Sequence, residues 1–493
     1  MQKRNAELFN EALALHRQGR LDEAEARYRK LLWREPGSAA VAHALGALKL
    51  NQDRPAEAAK LLANAATLDP TNAEIRNALG AALTQAKQPA QAEAELRQAL
   101  ALDPLLAEAH NNLSILLTRV QRPAEAVEAS LQAQRLAPAS AEMALNLGKA
   151  LRDLGRLDAA LQAFETARRL APPADPLAVE AEFAAGTIRL ALGDFAGGWT
   201  GFEARLRLPG FGFALPDQGL PVWQGETLAG STILLHAEQG LGDTLQMLRY
   251  VPLVAARGAR VLLLVQPALT RLLAGWPGTD AVFGFGDPLP EFDLRCPLMS
   301  LPHRFGTTLD TIPPMPAPLA PPAEAVAAWH RRFGDDPRRR IGLVWAGNPN
   351  HANDHNRSAP LAALAPLFEI EGVRWVSLQK DIPLADAALL AAHPELLQLG
   401  DDLTDLAATA GAIAALDLVL SVDTAVAHLA GAMAKPVWLL LPYAPEWRWL
   451  GTRENSPWYP TARLFRQQAP GDWASLTTEV ERAVQDLTYV AWP

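Results

Sequence analysis

A single cysteine, Cys296, is present in 493 residues. That excludes an internal disulfide and any cysteine-based zinc or iron–sulfur cluster. Tryptophan is nearly missing from the first part of the chain, where only Trp33 of 13 tryptophans precedes residue 190. No uninterrupted apolar run reaches the ~18 residues that a membrane-spanning helix needs. The nearest stretch, 416–442, is broken by Asp417, Asp423, His428 and Lys435. The N-terminal MQKRNAELFNEALALHRQGR is charged throughout and has no apolar core of signal-peptide length. Excess positive charge is also lacking: 45 Lys and Arg against 54 Asp and Glu leave a net charge of −9. This argues against a general binder of nucleic acid or anionic membrane. Together these absences point to a cytoplasmic protein with no membrane insertion. Apolar residues make up 49% of the chain and charged residues 20%, enough for about three domains of ordinary size.

Prolines recur at Pro36, Pro70, Pro104, Pro138 and Pro172, every 34 residues. Small residues keep the same phase at Ala24, Ala58, Ala92, Ala126 and Ala160. Leu–Gly pairs do so at Leu45–Gly46, Leu79–Gly80 and Leu147–Gly148, with Leu113–Ser114 in the fourth unit. The columns have a physical meaning. Small residues let two antiparallel helices approach closely, Pro ends the second helix, and each unit buries its open face on the next. The pattern resembles the tetratricopeptide repeat over 5–172, with five units. Gly193-Asp194-Phe195 and Phe202 fit a degenerate sixth unit, after which 193–205 acts as a cap or adaptor. By resemblance, such a solenoid holds a peptide or protein in its groove. Asn77, Asn111, Asn112 and Asn146 lie in first helices near the groove side, where their amides could hold an extended backbone. Solvated asparagines with no such role remain the plainer alternative.

From about residue 231 the period changes. Apolar runs at 232–235, 261–265 and 281–285 alternate with amphipathic stretches at 244–257 and 268–274, which predicts parallel βαβ units. PPMPAPLAPP at 313–322 can continue neither helix nor central strand and reads as a linker. After a short helix at 323–333 the alternation restarts. Strands are expected at 341–345, 373–378, 418–422 and 437–441, and helices at 360–368, 404–416 and 424–434. Arg338-Arg339-Arg340 reads as a solvated charge run. Ligands in such sheets bind outside the carboxyl ends of the strands, so the chemistry belongs there.

The first of these strands ends in His236-Ala-Glu238-Gln239-Gly240-Leu-Gly242-Asp243-Thr244. A dinucleotide fingerprint is incomplete, because Leu245 stands where its third glycine belongs and Gln266 where a ribose-binding acid belongs. No Gly-Lys-Ser/Thr of a P-loop occurs. Asp243 is left as either a helix N-cap or a general base. Further on, 418–422 runs into Asp423-Thr424-Ala-Val-Ala-His428. Asp and Thr at a helix start can bind a sugar or ribose, and the free N–H groups suit a diphosphate. Here too an N-cap and a core histidine are the bland alternatives.

Gly242-Asp243, together with Ser421-Val-Asp423-Thr424-Ala-Val-Ala-His428-Leu-Ala-Gly, resembles glycosyltransferase family nine over about 231–490. The resemblance implies a GT-B fold, two Rossmann-like domains facing a nucleotide-sugar cleft. It also implies Asp243 as catalytic base and Gly242, Asp423, Thr424 and His428 at the donor site. The family's Lys-containing phosphate loop has as counterpart here 347–358, where Asn348, Arg357 and Ser358 are the donor-site candidates and Arg357 replaces the lysine. His351, Asp354 and His355 invite a metal reading, but the resemblance implies a metal-free site and no cofactor beyond the nucleotide sugar as substrate. The aromatics of 445–460 either stack on base or sugar or close the core.

The whole chain is similar to bacterial fusions of tetratricopeptide repeats with a glycosyltransferase, some of which glycosylate flagellin. The expected order is a solenoid at 1–173, a sixth repeat and adaptor at 174–229, an N-terminal lobe with linker at 230–322 and a C-terminal lobe at 323–493. The implied activity is inverting sugar transfer to an acceptor hydroxyl on a protein recruited by the repeats. A scaffold with a silent GT-B unit, or another nucleotide-sugar enzyme such as an epimerase, are the competing expectations.

Overall fold

The computed structural model describes residues 2–210, 219–351 and 353–489. It comprises two compact units, Met1–Ala178 and Val179–Pro493. Part of the expected adaptor, 211–218, and Ala352 in the phosphate-loop candidate lie outside the described residues.

In the first unit the helices are α1 Gln2–Arg17, α2 Leu21–Arg34, α3 Ala39–Asn51, α4 Pro55–Leu68, α5 Ala73–Gln85, α6 Pro89–Leu102, α7 Ala107–Arg119, α8 Pro123–Leu136, α9 Ala141–Asp153 and α10 Leu157–Leu170. Pro55, Pro89 and Pro123 occupy first turns, where no N–H is needed. Ser38, Asn72 and Ser140 cap the helices that follow them. The Gly column has a direct cause: a β-carbon at Gly46, Gly80 or Gly148 would stand 2.5–2.6 Å from Leu62, Leu96 or Phe164. The fourth unit solves the same contact differently, with buried Ser114 hydrogen-bonded to buried Ser130. Within each pair the turn places one residue in the left-handed region: Gly19, Asp53, Lys87, Gln121 and Gly155, at φ 55–75°.

Two helices open the second unit's fold, α11 Pro176–Ala191 and α12 Phe195–Phe202, and Gly186 meets the backbone of Gly201 where they cross. A first parallel sheet contains β1 Thr232–His236, β2 Arg260–Val265, β3 Ala281–Gly284 and β4 Leu294–Pro297, in the order β3-β2-β1-β4. Helix α13, Leu241–Met247, follows β1. The second sheet contains β5 Arg339–Val344, β6 Val373–Ser377, β7 Leu397–Gln398, β8 Leu418–Val422, β9 Val437–Leu441 and β10 Ala462–Arg466. Its order is β10-β9-β8-β5-β6-β7, all parallel. Counted from its own first strand, that is the doubly wound order 3-2-1-4-5-6. Both faces of the strands are buried: Ile233 and Leu235 join one apolar cluster, Leu234 the other. This is why the strands read as continuous apolar runs. The tryptophans close the core. Trp199, Trp223, Trp447, Trp449 and Trp458 are all buried in the cluster that also holds residues of both sheets.

Several expectations are corrected. The helix expected at 244–257 is instead α13, a 3₁₀ turn and a short helix at Val251–Ala255, interrupted around Pro252, which lacks an N–H and crowds the preceding turn. Strands β4, β7 and β10 were not anticipated, being short or interrupted by Arg295, Arg463 and Arg466. The Arg338–Arg340 run is not simply solvated. Arg339 and Arg340 begin β5, and Arg338 pairs with Asp336 at 2.7 Å.

Candidate functional site at two strand crossovers

In each sheet the strand order reverses at one place, between β1 and β4 and between β5 and β8. Loops leaving opposite ways there open a crevice at the carboxyl ends. The sequence after β1, β5 and β8 supplies the residues singled out from the sequence.

Gly242 lies directly against His428: a β-carbon at 242 would stand 2.6 Å from its Cδ2. Helix α13 therefore packs on the helix Ala425–Ala432, bringing the two crossovers together. Asp243 is not an N-cap. Gly240 is, and Asp243 Oδ2 reaches back from the third helical position to accept the Gly240 N–H at 2.8 Å. Its Oδ1 forms an ion pair with the buried guanidinium of Arg448. Nor does Asp423 cap its helix, since Thr424 holds that position. Asp423 is buried, and burial together with the Glu446 carboxylate pushes its carboxyl up to about 6. His428 Nδ1 lies 3.0 Å from Tyr459 Oη, and its ring packs against Trp449 and Tyr459. Burial, then the nearby arginines Arg448, Arg249 and Arg357, push it well below the usual imidazole range, so it is neutral near pH 7.

Arg357 donates from Nη1 to the Asp423 carbonyl at 3.2 Å and from Nε to Asp354 Oδ1 at 3.3 Å. This ties the loop after β5 to the end of β8. Its Nη2 would stand 2.6 Å from a β-carbon at Gly347. Ser358 closes the loop on itself, its Oγ accepting from Gly347 N and donating to Asp354 Oδ1, both at 2.9 Å. Asn348 is exposed and turns the loop by accepting the Asn350 N–H at 3.0 Å. Asp354 is thus committed to Arg357 and Ser358. Among the described residues no group of three or more His, Cys, Asp or Glu side chains is gathered as a metal ion would require.

Three residues of the site escaped sequence reasoning. Gln379, after β6, braces the loop after β5: its Oε1 accepts from Trp345 N and Ala346 N, and its Nε2 donates to Ala346 O and Asp381 O. Glu238 is buried behind β1, with Oε1 accepting from Arg205 at 2.8 Å and from Met299 N at 3.2 Å. Burial outweighs Arg205 and raises its carboxyl to about 7. Arg448 is the third, and the available signal was a lone cation between Trp447 and Trp449.

The asparagines of the first unit are engaged with one another. Asn112 donates to Asn77 and Asn146 to Asn111, each at 2.9 Å, and Asn111 reaches Glu142 at 3.4 Å. They form two lateral pairs across successive units.

The fold thus defines a tetratricopeptide-repeat solenoid followed by a region of parallel sheets. A family model described as tetratricopeptide repeat matches residues 49–116, and a second of the same description matches 112–175 and 145–198. Among curated proteins the chain is similar to protein FlbA of Caulobacter vibrioides, at 29% identity over 337 residues, covering 62% of this chain and 55% of that protein. The chain therefore spans about half the length of the relative it matches. Among solved structures it is similar to MamA, with 24% identity, 34% of this chain, 93% of that chain and a TM-score of 0.30. It is also similar to Pseudomonas aeruginosa PilF, with 20% identity, 42% of this chain, 94% of that chain and a TM-score of 0.37. In neither unit is a described helix long and apolar enough to cross a membrane.

Proposed function

We propose that the second unit is a GT-B glycosyltransferase that moves a sugar from a nucleoside-diphosphate donor to an acceptor hydroxyl with inversion. The acceptor is a protein held by the repeats, flagellin being the example that the resemblance suggests. One observation carries this reading: Gly242–Asp243 meets Asp423–His428 where the two crossovers face each other. In the proposed mechanism Asp243 takes the acceptor proton as the hydroxyl attacks the anomeric carbon. Negative charge developing on the diphosphate is stabilised by Arg357 and by the N–H groups that begin the helix Ala425–Ala432. Asp423 and Thr424 orient the donor, and the neutral His428 holds Gly242 close.

Tetratricopeptide repeats are protein-binding scaffolds, and this supports a recruited acceptor. A silent α/β unit is the second reading, favoured by Asp243 having both oxygens engaged. A panel of nucleotide sugars in a thermal-shift assay on the intact chain separates the two. A true donor at 100-fold over Kd stabilises by about 2.7 kcal/mol. No shift with any of them leaves the scaffold reading standing. Product analysis with a labelled donor then distinguishes transfer from epimerisation, and Asp423→Ala is expected to weaken donor affinity.

A further inference from the structure

Arg448 comes from the turn at Trp447–Trp449 in the second sheet's half of the unit, yet its side chain is spent on the first half. Nε donates to Gln246 Oε1 at 2.7 Å, Nη2 pairs with Asp243, and Nη1 lies 3.5 Å from Glu446 Oε2. The guanidinium sits 4.6 Å over the Trp447 ring, and the residue is 7% exposed. Gln246 is itself fully buried, so the fork is fixed on both sides. A planar fork can hold a carboxylate and an amide together, which an ammonium cannot.

We propose that Arg448 is a positioning residue for the transferase chemistry: it fixes the orientation of the Asp243 carboxylate across the cleft. The inference rests on the glycosyltransferase reading. Other charged and titratable groups act on Asp243 as well. Glu238 lies behind β1, His351 is in the loop after β5, and Tyr459 stands beside His428, while Glu446 shares the guanidinium. Among the described residues, Arg448 is the group in ion-pair contact with Asp243. Both oxygens of Asp243 are then oriented, one by Arg448 and one by the Gly240 N–H.

The test is the split of kcat against KM in the full-length chain, compared among wild type, Arg448→Gln and Arg448→Lys. Arg448→Gln should lose at least about tenfold in kcat, with the donor KM and donor binding by thermal shift retained. Arg448→Lys should lose as much, because it cannot reach Asp243 and Gln246 together. A wild-type kcat in Arg448→Gln, or a loss carried by KM alone, overturns the proposal. If that variant does not fold, Arg448→Lys decides alone, and wild-type kcat overturns the proposal. A wild-type chain that binds no nucleotide sugar refutes the glycosyltransferase reading itself, an outcome separate from either of these.

Discussion

The two units handle the same side chains in opposite ways. In the solenoid, Glu25 accepts from Lys49 at 2.6 Å and from Arg29 at 2.8 Å, and these partners outweigh burial and hold its carboxyl down to about 2. In the α/β unit, Glu238 and Asp423 are buried more deeply than they are paired, and their carboxyls rise to about 7 and about 6. Glycine, by contrast, serves both units alike: Gly80 and Gly148 make room for buried Leu96 and Phe164, and Gly242 for a histidine packed against Trp449 and Tyr459. A repeating scaffold pairs its charges, while desolvated carboxylates collect near the crossovers.

The largest expected effect breaks the chemistry and leaves the scaffold alone. Asp243→Asn should lower turnover by about 10²–10⁴-fold, the usual cost of losing a positioned base. Donor binding by thermal shift and helix content by circular dichroism should stay near wild type. Wild-type turnover in this variant removes Asp243 from the mechanism.

Next comes the glycine comparison. Gly242→Ala drives a β-carbon into a ring held on two sides, and overpacking of this kind costs about 1–3 kcal/mol. Gly80→Ala brings its β-carbon to 2.5 Å from Cγ of the fully buried Leu96 and 3.3 Å from the Ala92 carbonyl oxygen, so a similar cost of about 1–3 kcal/mol is expected. Ser114 opposite Ser130 already shows that this column accepts a β-carbon when its partner is small. Urea denaturation of both variants compares the two sites, and a cost at 242 well above that at 80 would show that the ring at 428 yields less easily than the leucine.

Acid–base linkage should also separate the units by sign. Glu25 has its carboxyl lowered from 4.5 to about 2, so its stabilisation is complete above the unfolded value and is lost as pH falls toward 2. Glu238 is raised from 4.5 to about 7. The folded state therefore binds more protons than the unfolded chain between those values, and stability falls as pH rises through that window. Hydrogen exchange between pH 3 and 8 should show amides of α2 and α3 weakening on the acid side. In β1 itself burial lowers His236 to about 4, which contributes with the opposite sign over nearly the same window, so Glu238 is read from the difference between wild type and Glu238→Gln. As pH rises from 4.5 to about 7 the wild-type β1 amides should lose protection relative to the variant, and parallel profiles would give Glu238 no part in the trend.

Much of this was legible from periodicity. The repeat announced itself through Pro70, Gly80 and their 34-residue echoes, because each column answers a packing need that recurs identically. The strands with buried faces read as apolar runs; Gly242 packs on His428, which lies 3.8 Å from Asp423, while Asp243 turns to Arg448. Edge strand β10 was hidden by Arg463 and Arg466, which an edge can expose or cap. Arg448, Gln379 and Glu238 were invisible for another reason. Their partners stand far away in the chain, Arg448 to Gln246 being 202 residues apart, so no local pattern encodes them.

The smallest effect lies in a column that the sequence also concealed. Residues 19, 53, 87, 121 and 155 all adopt positive φ, and glycine fills only the first and last of them. For a residue with a β-carbon this conformation costs about 1–2 kcal/mol, whereas glycine enters it freely but gives up more chain entropy, about 0.5–1 kcal/mol. Lys87→Gly and Gln121→Gly should therefore each stabilise the solenoid by a few tenths to about 1 kcal/mol. Gly19→Ala should destabilise it by a similar amount, because nothing lies within 4 Å of the added carbon and the whole effect is conformational. Introducing glycine at the equivalent place in an α/β turn offers no such gain unless the residue there already has positive φ. Ala434, at φ 54°, meets that condition, so Ala434→Gly is the matched control for the second unit. Stabilisation at 87 and 434 alike would make the left-handed turn a property of local backbone alone, independent of which unit surrounds it.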